Sequence, residues 1–171
     1  VEYNVIEGHS RRIDSSFFNP AIYLDGGSSG WTIKGNVFKS CDAGVFILGG
    51  HHNTVVDNVA SDCYASLLIY AFDSPNPQTY LAGWRSLASR APYSSSSWQT
   101  AFPAMGALLA RPDSDLMVPR NNVVRNFITF QSRKGSLLTG KSWWDNPVLI
   151  MPAVTASNEN QVTGMLNTRD G

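Results

Sequence analysis

The sequence predicts an all-β protein, a right-handed parallel β-helix in which each coil has about 22 residues. Three observations lead to this prediction: strings of residues recur at one offset, β-branched residues fill the recurring positions, and glycine and asparagine mark the ends of the strings. Coils of such a solenoid stack at the inter-strand spacing of about 4.8 Å, so equivalent residues lie directly above one another.

The repeat is clearest in two segments, 31–41 and 53–63, which align at an offset of 22 residues. The similarity continues along the chain beyond them. The aligned pairs are Thr32 with Thr54, Ile33 with Val55, Asn36 with Asn58, Val37 with Val59, Cys41 with Cys63, Val45 with Leu67 and Ile47 with Ile69. A chance similarity within an ordinary antiparallel β domain is the alternative, but so many matches at one offset favour the solenoid.

A third copy follows at 121–128, and weaker copies begin at Tyr3 and Asn160. We align Val123 with Val55 and Asn126 with Asn58. The alignment predicts an internal aliphatic column and an asparagine column at a bend, where stacked amides hydrogen-bond their neighbours above and below. The two columns are Ile33, Val55 and Val123, and Asn36, Asn58 and Asn126. Glycine pairs at 26–27 and 49–50 mark turns that need unusual backbone dihedrals.

One coil carries a long insertion at about 74–118, where the β pattern stops and short helical spacings separated by prolines take over. Long insertions of solenoids lie on one face and often carry function. We expect residues 1–171 to form a single β-helix segment cut from a longer chain.

Composition excludes some classes of function. Thirteen basic residues balance thirteen acidic ones, which argues against a nucleic-acid partner. No apolar run approaches the roughly 20 residues of a membrane span. No Cys/His spacing indicates zinc and no dense aspartate cluster indicates calcium, so we expect no metal and no cofactor.

Several strings resemble the right-handed β-helix repeat family, which groups with pectate-lyase-like and glycoside-hydrolase-like proteins. The strings are Ile22–Asp25, Gly35–Phe38, Gly44–Gly50 and Asn53–Asn58. The insertion resembles that of one branch of the family, in the order Gly83–Trp84, Pro92–Tyr93, Trp98, Phe102–Pro103, Leu108–Leu109, Pro112 and Asn122–Asn126. The resemblance implies the fold, the insertion and a polysaccharide as substrate, and we expect a secreted or extracellular protein.

The chain departs from the pattern of this branch at three places. Gly26 stands where relatives carry a second acid, and 49–53 differs from their usual turn. Leu68, Tyr70 and Phe72 stand where relatives often carry His, Asp and Arg. These losses favour a module that is degenerate as an enzyme.

The candidate catalytic residues are Asp25, His51 and His52, which follow equivalent strands of adjacent coils. A carboxylate and an imidazole are suited to acid–base chemistry in glycoside hydrolysis or uronate elimination. Solvated turn residues are the alternative interpretation, and we favour it because a second carboxylate is missing.

The candidate substrate-binding residues are Trp84, Arg85, Tyr93 and Trp98 of the insertion. Aromatic faces are good platforms for sugar rings. The alternative is that they anchor the insertion to the solenoid.

Cys41 and Cys63 face each other across adjacent coils in this prediction, either as a disulfide or as buried thiols. We predict a module that recognises or processes polysaccharide. The competing hypothesis is a structural module against which other protein chains of an assembly pack.

Overall fold

The computed structural model describes residues 1–8, 19–63, 65–70, 77–90, 92, 94–103, 118–130, 148–150, 161–163 and 166–168. Short strands account for most of its regular structure. In chain order these elements are β1 Val5–Glu7, β2 Pro20–Leu24, β3 Thr32–Lys34, β4 Val37–Lys39, β5 Ala43–Leu48, β6 Thr54–Val56, β7 Val59–Ser61, β8 Ala65–Tyr70, α1 Pro77–Ala88, α2 Ser96–Ala101, β9 Val123–Arg125, β10 Ile128–Phe130, β11 Val148–Ile150, β12 Gln161–Thr163 and β13 Leu166–Thr168.

The strands form three parallel sheets, and consecutive members of each sheet come from successive coils. Sheet 1 contains β2, β5, β8 and β11, sheet 2 contains β3, β6, β9 and β12, and sheet 3 contains β1, β4, β7, β10 and β13. Neighbouring strands within each sheet are parallel. The chain therefore folds as a parallel β-solenoid, as the repeat predicts.

The register of the first coils follows the offset read from the sequence. Ile33 pairs with Val55 in sheet 2, and Val37 pairs with Val59 in sheet 3. Ile33 and Val55 are fully buried in the central core. Repeated β-branched residues therefore lie in the aliphatic column where the repeat placed them.

The predicted register of the third copy was wrong by one residue. Val55 pairs with Val124, not with Val123, and Phe127 rather than Asn126 occupies the position of Asn58. Phe127 is fully buried, and its ring lies 6.3 Å from that of Phe38. Under the predicted alignment Phe127 would take the partly exposed position of Val59, so burial of an aromatic ring favours the observed pairing.

The asparagine column exists, but its members are Asn4, Asn36 and Asn58. Asn36 Oδ1 accepts hydrogen bonds from the backbone N–H and the side-chain amide of Asn4, at 3.0 and 3.1 Å. Asn58 Oδ1 accepts the same pair from Asn36, at 2.9 and 3.0 Å. The Asn58 amide donates onward to the carbonyls of Ile33 and Val56. The Asn58 side chain therefore satisfies backbone groups of two coils.

A second asparagine column, which the sequence analysis missed, lies at the start of sheet 2. Asn53 Oδ1 accepts from the Trp31 N–H at 3.0 Å, and Asn122 Oδ1 accepts from the Asn53 N–H at 2.9 Å. Both asparagines are fully buried. This column forms only in the observed register, because Asn122 must lie directly above Asn53.

Glycine meets two different requirements in the turns after β2 and β5. Gly26, Gly27 and Gly49 have positive φ, as predicted for these pairs. Gly50 does not, and its requirement is space: a Cβ there would lie 2.3 Å from the Ser28 carbonyl oxygen and 2.7 Å from Asn53 Nδ2. The dihedral prediction for Gly50 was therefore wrong.

Helices α1 and α2 lie between β8 and β9 in chain order, within residues 74–118. In the part of the chain that the structure describes, no helix has the length and apolar character needed to cross a membrane.

Candidate functional site

The outer face of sheet 1 is lined by side chains that alternate with the core. Leu24, Ile47 and Ile69 point into the solenoid and belong to the central apolar cluster. The residues before them in each strand, Tyr23, Phe46 and Leu68, are in register on the opposite face. The sheet therefore carries a second, outward-facing apolar layer.

Three aromatic rings of this layer are in contact, and we call Tyr23, Phe46 and Tyr70 the aromatic array. Tyr23 stacks on Phe46 with ring centroids 4.8 Å apart and planes within 8°. Phe46 meets Tyr70 edge to face at 5.6 Å. Tyr23 is 44% exposed, whereas Phe46 and Tyr70 are half-buried. The array is therefore open to solvent at Tyr23 and closed toward Tyr70.

At the closed end, the Tyr70 hydroxyl is buried and has no hydrogen-bond partner among the described residues. Burial raises its pKa above the ordinary value for tyrosine. The hydroxyl therefore stays protonated.

Asp25 follows β2 directly and lies beside the open end of the array. Its Oδ1 accepts the Gly26 N–H at 2.7 Å. Burial raises the Tyr23 pKa to about 12, and the neighbouring Asp25 carboxylate adds to the shift. Tyr23 is therefore a neutral phenol beside an exposed carboxylate.

Trp84 of α1 lies against the turn that follows Asp25. A Cβ added at Gly27 would lie 1.9 Å from Trp84 Cη2, and one at Gly26 would lie 3.7 Å from Cζ2. The indole therefore occupies space that exists because Gly27 lacks a side chain, and it is in ordinary contact distance of Gly26. Leu81, one helical turn earlier, is buried and helps to hold α1 in place. Asp25 and Trp84, which the sequence nominated separately, thus adjoin one turn.

The two histidines have different environments. His51 is 1% exposed, its N–H donates to Ser29 Oγ at 2.9 Å, and its carbonyl accepts the Gly30 N–H. His52 is exposed, has a positive φ, and places its Nε2 3.2 Å from Asn121 Nδ2. Only His52 therefore presents its imidazole to solvent.

The remaining residues nominated from the insertion are spread over both helices. Arg85 is exposed in the last turn of α1, next to Trp84. Trp98 of α2 is half-buried and packs on Phe102 with ring centroids 4.8 Å apart. Tyr93 lies outside the described residues, and so does Phe72.

Tyr23 and Phe46 were not predicted from the sequence as site residues. The available signal is the alternation of aliphatic and aromatic residues in Ile22–Leu24 and again in Val45–Ile47. An aromatic residue between two inward aliphatic residues must point outward on a strand. Two such residues in adjacent coils therefore indicate an external aromatic stack.

Within the part of the chain that the structure describes, no three His, Cys, Asp or Glu side chains gather as they would around a metal ion. Comparison of the chain with models of protein families, with curated proteins and with solved structures gave no match. The indication of function in this chain therefore comes from the geometry of the aromatic array, Asp25 and Trp84.

Proposed function

We propose that the chain is a right-handed parallel β-helix module that recognises a polysaccharide on the outer face of sheet 1. The observation that carries the proposal is the exposed Tyr23 ring, supported from behind by Phe46 and bordered by Asp25 and Trp84. An aromatic face accepts the apolar face of a sugar ring, and a neighbouring carboxylate accepts hydrogen bonds from its hydroxyls.

Support from below makes Tyr23 a good platform. Its ring lies parallel to Phe46 with centroids 4.8 Å apart, so the stacked partner restricts the ring before a ligand binds. The carboxylate of Asp25 is exposed and uses Oδ1 for the Gly26 N–H. Its remaining acceptor positions face solvent, where sugar hydroxyls would approach.

Recognition is favoured over catalysis by the supply of acid–base groups. Hydrolysis of glycosides generally uses two carboxylates roughly 5–10 Å apart. The turns after β2 and β5 contain Asp25 and no second acid. Of the two imidazoles predicted as its partners, His51 is buried, whereas His52 is exposed and lies beside Asn121. Among the described residues of these two turns, the site therefore offers a surface for binding without a second carboxylate.

The test is calorimetric titration of the purified chain with a panel of uronate-containing and neutral oligosaccharides. Tyr23→Ala is expected to weaken binding by about tenfold or more, because a stacking platform contributes on the order of 1–2 kcal/mol. Tyr3→Ala is the matched control, since Tyr3 is an exposed tyrosine whose ring lies against Gly35 and Lys34 at a different bend. Equal losses in both variants would contradict the proposed site.

Turnover is followed in parallel by measuring reducing ends and unsaturated products. We expect none with the wild-type chain. Turnover that Asp25→Asn abolishes would replace recognition by catalysis as the function of this face.

A second candidate function, a structural module of an assembly, is favoured by the outer face of sheet 3. Val5, Val37 and Ile128 are in register there and are 74%, 36% and 39% exposed. An exposed aliphatic column of this kind is typical of a surface that other protein chains cover. Sedimentation of the wild-type chain and of Val5→Lys tests it: self-association that the lysine abolishes would support assembly.

A further inference from the structure

Cys41 and Cys63 occupy the same position in consecutive coils, directly before β5 and β8, and both are buried free thiols. Their sulfur atoms repeat the same contacts. Cys41 Sγ lies 3.3 Å from the Lys39 carbonyl oxygen and 3.9 Å from that of Ile6. Cys63 Sγ lies 3.4 Å from the Ser61 carbonyl oxygen and 3.8 Å from that of Phe38. Equal contacts in both coils mean that the two side chains point the same way, one above the other.

Backbone hydrogen bonds on both sides hold the two residues at the coil spacing. The Ser40 N–H donates to the Ser61 carbonyl at 3.0 Å, and the Ala65 N–H donates to the Asp42 carbonyl at 3.1 Å. Stacked strands are about 4.8 Å apart, and disulfides span Cα separations of about 4.4–6.8 Å. The neighbouring Cys63 thiol lowers the Cys41 pKa to about 7, and the neighbouring Cys41 thiol together with burial raises the pKa of Cys63.

We propose that Cys41 and Cys63 form an oxidation site at which a small-molecule disulfide converts the pair into a covalent cross-link between consecutive coils. Chain composition makes the product unambiguous, because the sequence contains two cysteines. Any disulfide within one chain is therefore this one.

The reaction proceeds by two exchanges with glutathione disulfide. The Cys41 thiolate attacks one sulfur of the reagent, the reagent S–S bond breaks, and one glutathione thiolate leaves. Cys63 then loses its proton to solvent and attacks Cys41 Sγ, which releases the second glutathione. Two protein thiols are oxidised to one disulfide, and one glutathione disulfide is reduced to two thiols.

The two sulfurs differ in acidity and in burial. The Cys41 pKa is lowered to about 7 beside the Cys63 thiol, so Cys41 is the nucleophile of the first exchange. Cys63 has a raised pKa and is more deeply buried, so it resolves the mixed disulfide. Cys41 is 4% exposed, and its sulfur lies close to Gly8, where an added Cβ would be 2.9 Å from Cys41 Sγ.

The experiment incubates the full chain with glutathione disulfide and measures intact mass with and without a thiol-alkylating reagent. We expect a wild-type product lighter by two hydrogens that takes up no alkylating reagent. Cys63→Ser should stop at a stable glutathione adduct on Cys41, because the resolving thiol is absent. Cys41→Ser should react more slowly than Cys63→Ser.

Thermal unfolding of the oxidised and reduced wild type provides a second measurement. Closing one coil in the unfolded chain should raise the melting temperature by roughly 5–10 °C, and a reductant should reverse the shift. Cys63→Ser treated in the same way should show no such rise. A wild type that keeps both thiols, stops at the adduct, or forms dimers linked between chains would overturn the proposal.

Discussion

The two ends of the asparagine column differ in the type of residue that occupies the bend. In the lower coils, Asn4, Asn36 and Asn58 stack at one bend, and the amide oxygens of Asn36 and Asn58 each accept two hydrogen bonds from the asparagine below. In the next coil the same position holds Phe127, whose ring reaches Phe38. One bend of the solenoid therefore accepts either a hydrogen-bonded amide or an aromatic ring, provided that a matching partner lies in the stack.

Ala60 explains how the ring is accommodated. Phe38, Ala60 and Thr129 are in register on sheet 3, so Ala60 separates the coils of the two phenylalanines. Its small side chain leaves room for Phe127 to lean toward Phe38. The asparagine column therefore ends at the coil in which a buried contact between Phe127 and Phe38 replaces the amide hydrogen bonds.

The largest expected effect is the difference in unfolding free energy between variants of Phe127 and of its neighbour Asn126. Phe127→Ala should lower the free energy of unfolding by about 3–5 kcal/mol, because it empties a fully buried site. Asn126→Gly should change it by only about 0.5 kcal/mol, since Asn126 is exposed, has a positive φ, and loses one surface hydrogen bond to Asp57. Urea denaturation measures both, and the reverse order of effects would restore the alignment read from the sequence.

The next effect compares the middle of the column with its end. Asn58→Ala should cost about 2–3 kcal/mol, because buried backbone groups of Asn36 and Ile33 lose their partner. Asn4→Ala should cost about 1 kcal/mol or less, since Asn4 is exposed and water replaces its partner. Chemical denaturation of the two variants checks this, and equal costs would mean that position in the stack does not matter.

Alanine substitutions at Gly50 and Gly30 distinguish the cost of close packing from the cost of an unfavourable backbone conformation. Gly50→Ala should cost about 2–3 kcal/mol, because the new Cβ meets the Ser28 carbonyl oxygen. Gly30→Ala should cost about 1 kcal/mol, since nothing lies within 4 Å of its Cβ and only the positive φ is unfavourable. The melting temperatures of the two variants provide the measurement, and a larger loss for Gly30→Ala would contradict the packing argument.

The smallest effect concerns the polar pair on the outer face, where solvent replaces lost partners. Asp25→Asn should lower the Tyr23 pKa only part of the way from about 12 toward 10, because burial, the largest cause of the shift, remains while the contribution of the carboxylate is removed. Phenolate absorbance during an alkaline titration reports this, with Tyr23→Phe as the reference for the other tyrosines.

The raised pKa of Tyr23 determines how the free energy of unfolding changes with pH. The folded-state pKa is raised, so protonated Tyr23 stabilises the fold below about pH 10, and this contribution disappears as pH rises toward 12. Asp25→Asn should narrow the pH range, from about 10 toward 12, over which this stabilisation disappears. An unchanged Tyr23 pKa would show that burial alone is responsible for it.

Periodicity was sufficient to predict the stacked coils. Ile33 and Val55, or Asn36 and Asn58, are neighbours in space because they are one period apart along the chain. In a solenoid the local pattern and the long-range pairing carry the same information. The offset read from the sequence therefore predicted both the parallel sheets and the inward-facing residues of these coils.

The candidate site was predictable only in pieces. Asp25 and Trp84 were nominated from residue type and motif, but nothing in their spacing brings an insertion helix to the turn after β2. In the folded chain the indole of Trp84 lies against this turn because Gly27 has no side chain. The fold likewise buries His51 and exposes His52, a distinction that two adjacent histidines in a turn do not reveal.

The sequence by itself determined the solenoid, because its repeat makes each coil the template for the next. Tertiary structure alone decided the register across residues 74–118, where two pairings one residue apart are equally consistent with the pattern. The observed pairing buries Phe127 and places Asn122 over Asn53. The physical reason is that, once a long segment breaks the period, only packing and hydrogen bonding between coils distinguish one register from the other.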